Sequence, residues 1–224
     1  MKNILSQYSI RRDILTKEKY IVDGELTTKA HLIKNLNGYE QIPIINVIDN
    51  KTLAELNPIQ IAGVISGLAN IEYNTKGDIP LKPFKLTNTD DTEFVAAAQA
   101  AFFEVKNYER KISRLTPDKE LSVNSKAMEH VYKWAESNCK SEKSRRNWQK
   151  LYHGDLRFSI RDEGTLFKEI NMTIDLLKQL IVVCEDGELY SDMEADKAYY
   201  RKMSNKFKEA IYLIQQSPVT ADSI

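Results

Sequence analysis

The chain has 224 residues with 42% hydrophobic content, enough for one large domain with a proper core. Its 32 basic and 32 acidic residues cancel, so the molecule as a whole is no polyanion binder, and any nucleic-acid surface must come from local segregation of charge. Glycine (8) and proline (6) are scarce, which argues against an all-β fold rich in tight turns.

Residues 1–40 read as helix, short extended turn, helix. A turn at Asp23-Gly24 separates the apolar ends of Tyr20 to Thr27, and Thr27 or Thr28 is placed to cap a helix running to about Leu36. Helix plus wing is a common nucleic-acid-binding arrangement. It is more often a structural joint, and that reading is favoured. Residues 42–70 hold two helical pieces. Asn57 is a good N-cap and Pro58 suits the first helical position. Ile59, Ala62, Ile65, Leu68 and Ala69 recur on one face, and Gly63 and Gly67 predict close packing against another helix. The segment 74–91 is rich in Thr, Asn, Asp, Gly and Pro and reads as a loop.

A long helix is expected over 92–115, capped by Asp90 with Glu93 three residues on and ended by Pro117. Phe94, Ala98, Ala101, Val105, Tyr108, Ile112 and Leu115 form its core seam, and Lys106, Arg110, Lys111 and Arg114 crowd its second half. A further helix covers about 123–137. Two long helices close the chain. One runs from about Thr165 to Cys184, with Leu166, Ile170, Thr173, Leu177, Ile181 and Cys184 inward. The other runs from about Asp192 to Gln216, with Tyr199, Met203, Phe207, Ala210 and Ile214 inward. A short turn at Glu185-Asp-Gly-Glu188 would make them an antiparallel pair. The last residues, 217–224, look frayed.

Catalytic signatures are missing from this sequence. It has no phosphate-cradling Gly-rich loop with Lys-Ser/Thr, no Asp-Glu-x-His or Asp-Glu-Ala-Asp run for magnesium, no nucleophile elbow and no zinc-protease helix. Cys139 and Cys184 form no CxxC pair, and His31, His130 and His153 lack metal-ligand spacing. No catalytic residue, metal or cofactor is assigned. No apolar run approaches a membrane span and no signal-type h-region opens the chain, so a soluble, cytoplasmic protein is expected.

The strongest local signal is 138–161. Lys140, Lys143, Arg145, Arg146, Lys150, Arg157 and Arg161 stand against Glu142 and Asp155, a local balance of +5, with Trp148, Tyr152 and Phe158 interleaved. Cations neutralise phosphates, and exposed rings stack unpaired bases at about 1–3 kcal/mol each. Trp148 and Tyr152, four apart, also suit the core side of a short helix. The helix from Gly164 is the second candidate. Opposite its seam it carries Lys168, Asn171, Met172, Asp175 and Lys178, with Lys168 and Met172 one turn apart.

Four segments occur in one order: Leu26-Thr-Thr-Lys29, Leu56-Asn-Pro58 through Ala62 and Ser66, Val131-Tyr-Lys-Trp-Ala135, and Gly164 to Leu180. Together they resemble the C-terminal helical (DSHCT) domain of superkiller/exosome-type DExH RNA helicases, over most of residues 10–216. Two departures stand out. Ala30-His31 replaces the family's Gly-Arg, and Met172 takes a position where the family often directs a basic or amide side chain at RNA. Methionine packs against a base but does not hydrogen-bond to one.

The resemblance and the pattern together imply an all-α protein: an antiparallel long-helix bundle over 42–216, a small winged-helix-like connector over 1–41 and a tail over 217–224. The function implied is an accessory RNA-binding or ratchet domain for RNA processing, contacting single-stranded RNA through Arg145, Arg146, Trp148, Lys150, Arg157, Lys168 and Met172. ATP and Mg belong to a helicase motor supplied elsewhere, on the same protein or on another chain. The rival reading is a protein–protein docking module derived from a helicase tail, without RNA affinity.

Overall fold

A computed structural model describes residues 2–75, 83–87, 89–139, 151 and 163–216. The described residues form eight helices and two small antiparallel sheets, so the fold is all-α. In chain order come α1 (Lys2–Lys17), β1 (Ile21–Val22), β2 (Glu25–Leu26), α2 (Thr28–Ile33), α3 (Gln41–Asp49), α4 (Pro58–Ala69), β3 (Glu72–Thr75), α5 (Thr92–Ile112), β4 (Lys119–Ser122), α6 (Ser125–Cys139), α7 (Glu163–Tyr190) and α8 (Glu194–Ile214).

The bundle is organised around α4, buried at every residue from Gln60 to Ala69 and packed against α5, α6, α7 and α8. A helix apolar on all sides has no other stable place. Its start is built as the sequence predicts: Asn57 Oδ1 accepts from the N–H groups of Ile59 and Gln60, and the Gln60 side chain returns to the Asn57 N–H. Gly63 and Gly67 allow the close approach foreseen for them. A Cβ on Gly67 would meet Met128 of α6, and one on Gly63 would meet Phe94 of α5 and Tyr132 of α6.

The long helices α7 and α8 lie side by side and carry the predicted seams. Leu166, Ile170, Thr173, Leu177 and Cys184 are buried on α7, and Tyr199, Met203, Phe207, Ala210 and Ile214 on α8. Polar ties fix α8 to the rest of the bundle. Trp134 Nε1 donates to the Ile214 carbonyl (2.8 Å), Tyr199 Oη donates to the Ile48 carbonyl (2.7 Å), and Lys206 Nζ donates to the carbonyls of Ala54 and Leu56.

At the other end, α1 leads into the β1–β2 hairpin through Lys19 at φ 61°, and the hairpin turns at Asp23 and Gly24, φ 53° and 88°. Gly24 sits in the left-handed region that glycine tolerates without a Cβ clash. The hairpin feeds α2, which runs along α7: Asn35 donates to Asp186, Asn37 exchanges bonds with Gln179, and Tyr39 Oη donates to Asp175 and to the Met172 carbonyl.

Four sequence expectations need correction. The turn assigned to Glu185–Glu188 is helical; α7 continues to Tyr190, and the chain reverses at 191–193. The N-cap of α5 is Asp91, not Asp90, and the helix ends at Ile112, before Pro117 acts on it. Thr27 occupies the N-cap of α2 with no capping hydrogen bond from its side chain, because its hydroxyl donates to the Lys19 carbonyl. Finally, β3 opens the segment read as a loop and pairs with β4, Glu72 opposite Ser122 and Thr75 opposite Lys119.

Candidate nucleic-acid interface

The register of α7 decides what its outer face offers. Its seam residues turn inward with a 3.6-residue period, which leaves Lys168, Asn171, Asp175 and Lys178 exposed in one row. Lys168 and Lys178 are ten residues apart, about 15 Å along the axis. Neither lysine has an ion-pair partner among the described residues. Asp175, between them, is exposed and keeps its negative charge, while accepting from Tyr39 Oη at 2.8 Å and Gln179 Nε2 at 3.0 Å.

Met172 does not join this row. It is half-buried and packs against the core, while its carbonyl accepts the Tyr39 hydroxyl. The sequence placed Lys168 and Met172 on one face, one turn apart; the 40° between such positions is enough here to expose the lysine and turn the thioether against the core. Arg145, Arg146, Trp148, Lys150 and Arg157 lie outside the described residues. Asn171 and Lys178, which face solvent beside Lys168, were named on this face but not counted as contact residues. Their signal was the spacing of three and seven that they share.

Beneath the row, α7 is anchored rigidly. Glu169 Oε2 and His130 Nδ1 are 2.7 Å apart, both buried, and Thr173 Oγ1 donates to the Glu169 carbonyl. This pair is closed to solvent, so it holds helices rather than meeting a substrate. Neighbouring Glu129 is also buried and accepts from the Thr87 N–H and hydroxyl.

Among the described residues no group of three or more His, Cys, Asp or Glu side chains is placed to hold a metal ion. Burial pushes the Cys184 thiol up to about 12, with the Glu185 charge adding to it, so it is a packed apolar group rather than a nucleophile. No described helix is long and apolar enough to cross a membrane.

A phosphate strand laid along the α7 row would meet two lysine point charges and an amide, groups that position nucleic-acid backbones without reading sequence, and one carboxylate, Asp175, that opposes it. The DSHCT (NUC185) domain profile matches residues 23–221, which include the whole of α7 and the helices that position it. No curated protein matches the chain. A DSHCT domain is a helicase-associated accessory domain, and no motor domain accompanies it in this sequence. From α2 through α8 the fold and the match coincide, and the chain belongs to the DSHCT (NUC185) family, the C-terminal domain of Ski2-like helicases.

Proposed function

We propose that this chain is the RNA-contacting accessory domain of an ATP-dependent helicase motor. It guides single-stranded RNA past the bundle and acts as a passive ratchet in cytoplasmic RNA processing, with ATP and Mg confined to the motor. The observation that carries the reading is the outer row of α7: Lys168 and Lys178 without ion-pair partners among the described residues, Asn171 and Asp175 between them, on a helix pinned from behind by His130 and Glu169. The cluster Arg145, Arg146, Trp148, Lys150 and Arg157 supports it by charge and aromatic content alone.

Contact of this kind is held by phosphates, so it is sequence-tolerant and salt-dependent. The test is a titration of the purified chain with single-stranded RNA at several salt concentrations. Lys168→Ala/Lys178→Ala and Arg145→Ala/Arg146→Ala should each weaken binding and flatten its salt dependence. No binding at low salt would remove the reading.

A docking module without RNA affinity is the second reading. It is favoured by the far half of the same helix, where Val182, Leu189 and neighbouring Met193 are exposed apolar side chains. A chain that ignores RNA but co-purifies with a helicase motor would establish it.

A further inference from the structure

The C-terminal third of α5 and the second half of α1 meet at Ile14, and the surface differs on the two sides of that contact. On one side opens a cleft of about 360 Å³. Ile33, Ile42, Ile112 and Leu121 contribute its apolar lining, with Tyr39 and Tyr108 beside them. Tyr39 is tied down, its Oη within hydrogen-bond distance of Asp175 (2.8 Å) and the Met172 carbonyl (3.0 Å), so its ring is held in place before any ligand arrives. Tyr108 is half-buried against the core. The volume is at the small end of ligand pockets, room for one planar group rather than a peptide segment. Exposed Arg11 and Lys119 also line this cleft, with Glu40 its one carboxylate.

On the other side of Ile14 is a recess of about 190 Å³ lined by Lys17, Arg110, Lys111 and Arg114, with Asp13 the one carboxylate. Lys111 is paired with Glu18, and Arg110 donates to Asn107. Across residues 10–19 and 106–119 nine cations face four carboxylates, in a chain whose overall charge is zero. Such segregation favours a polyanion.

We propose that the α1–α5 seam is a second RNA contact: the cleft takes one unstacked base against the aromatic and apolar side chains that line it, and the flanking cations take phosphates on either side of it. The proposal rests on the reading that the chain binds RNA, and it adds a base-holding site next to the α7 row, joined to it through Tyr39 and Asp175. Stacking on aromatic faces tolerates any base, so it fits a surface that holds a strand without reading it.

The test uses the whole chain with two short fluorescent oligomers of equal charge, an oligouridylate and an abasic counterpart. Wild type should bind the oligouridylate about tenfold more tightly, the size of one stacked base. Arg110→Ala/Arg114→Ala should weaken both oligomers and lower the salt slope by about two. Thr116→Phe, which fills the cleft from its rim, should abolish the preference for bases while leaving abasic binding intact. Thiouridine cross-linking of wild type should label peptides containing Tyr39 or Tyr108, which keeps the test valid if the cleft variant fails to fold. RNA binding by wild type with no base preference, no such adducts and no effect of the arginine variant overturns this inference and leaves the α7 reading standing. Failure of wild type to bind either oligomer overturns both. An acidic peptide that binds with the same arginine dependence, while RNA does not, assigns the seam to a protein partner and overturns it too.

Discussion

His130 Nδ1 and Glu169 Oε2 stand 2.7 Å apart with both side chains buried, and this contact joins α6 to α7 directly beneath the exposed Lys168. Removing one partner takes a buried hydrogen bond from the other, which costs about 1–3 kcal/mol. Glu169→Leu should therefore lower the urea midpoint sharply. His130→Leu/Glu169→Leu should cost less than the sum of the single changes by about 1–3 kcal/mol. Additive costs would mean the pair does not couple the helices.

Asp91 is a junction of three helices. It caps α5 by accepting from the Phe94 N–H, and it also accepts from Gln60 of α4 and Tyr132 of α6. Burial acts to raise its pKa, but these donors outweigh burial and hold the carboxyl below its usual value. A depressed carboxylate contributes stability that is fully present above its unfolded pKa and is lost as pH falls through its folded pKa. Asp91→Asn keeps a capping oxygen but no charge. It should be less stable than wild type by about 1 kcal/mol at neutral pH, because bonds to a charged acceptor become bonds to a neutral one, and the gap should close as the solution is acidified below the ordinary carboxylate range. Denaturation curves across that range check the sign; a gap that widens in acid would contradict it.

Gly187 lies within α7 against Tyr200 of α8. A Cβ there would stand 2.7 Å from two atoms of the Tyr200 ring, which is itself buried edge-on to Tyr199. Alanine gains about 1 kcal/mol of helix propensity over glycine, yet overpacking against a ring that has no room to retreat costs about 1–3 kcal/mol. Gly187→Ala should be net destabilising by thermal melting. Gly187→Ala with Tyr200→Leu should recover part of the loss.

Lys168→Ala/Lys178→Ala should lower the slope of log affinity against log salt by about two, one per phosphate contact removed. Met172→Leu should leave RNA affinity unchanged and stability within about 1.5 kcal/mol, since Met172 serves packing. Loss of RNA binding in Met172→Leu would show that the thioether reaches the strand.

The core seams of α7 and α8 were legible because burial imposes a 3.6-residue period that no other element shares. The false turn at Glu185–Glu188 shows where that reasoning stops. Asp-Gly flanked by glutamates is a sound turn signal, and distant partners overrule it. Asp186 accepts from Asn35 at 2.8 Å and pairs with Lys34 at 3.1 Å, Glu188 binds Arg201, and Gly187 admits the Tyr200 ring. Three of the four residues of the signal, Asp186, Gly187 and Glu188, have a neighbour outside α7 to meet while helical. The β3–β4 pair was missed for a similar reason: Glu72-Tyr-Asn-Thr75 has no alternating burial, and its ladder depends on Lys119–Ser122 across the whole of α5.

The candidate sites divide the same way. That Lys168 and Lys178 share a face follows from spacing, and so does the crowding of cations at the end of α5. That Met172 leaves the face, that Asp175 accepts from Tyr39, and that α1 lays its own cations beside Arg110 and Arg114 are all contacts between segments far apart in sequence. Local periodicity and capping chemistry are written residue by residue, and they determined the helices, the α4 core and the family likeness. Which charges are spent on neighbours and which remain for a ligand depends on long-range packing, and only the tertiary structure decided it.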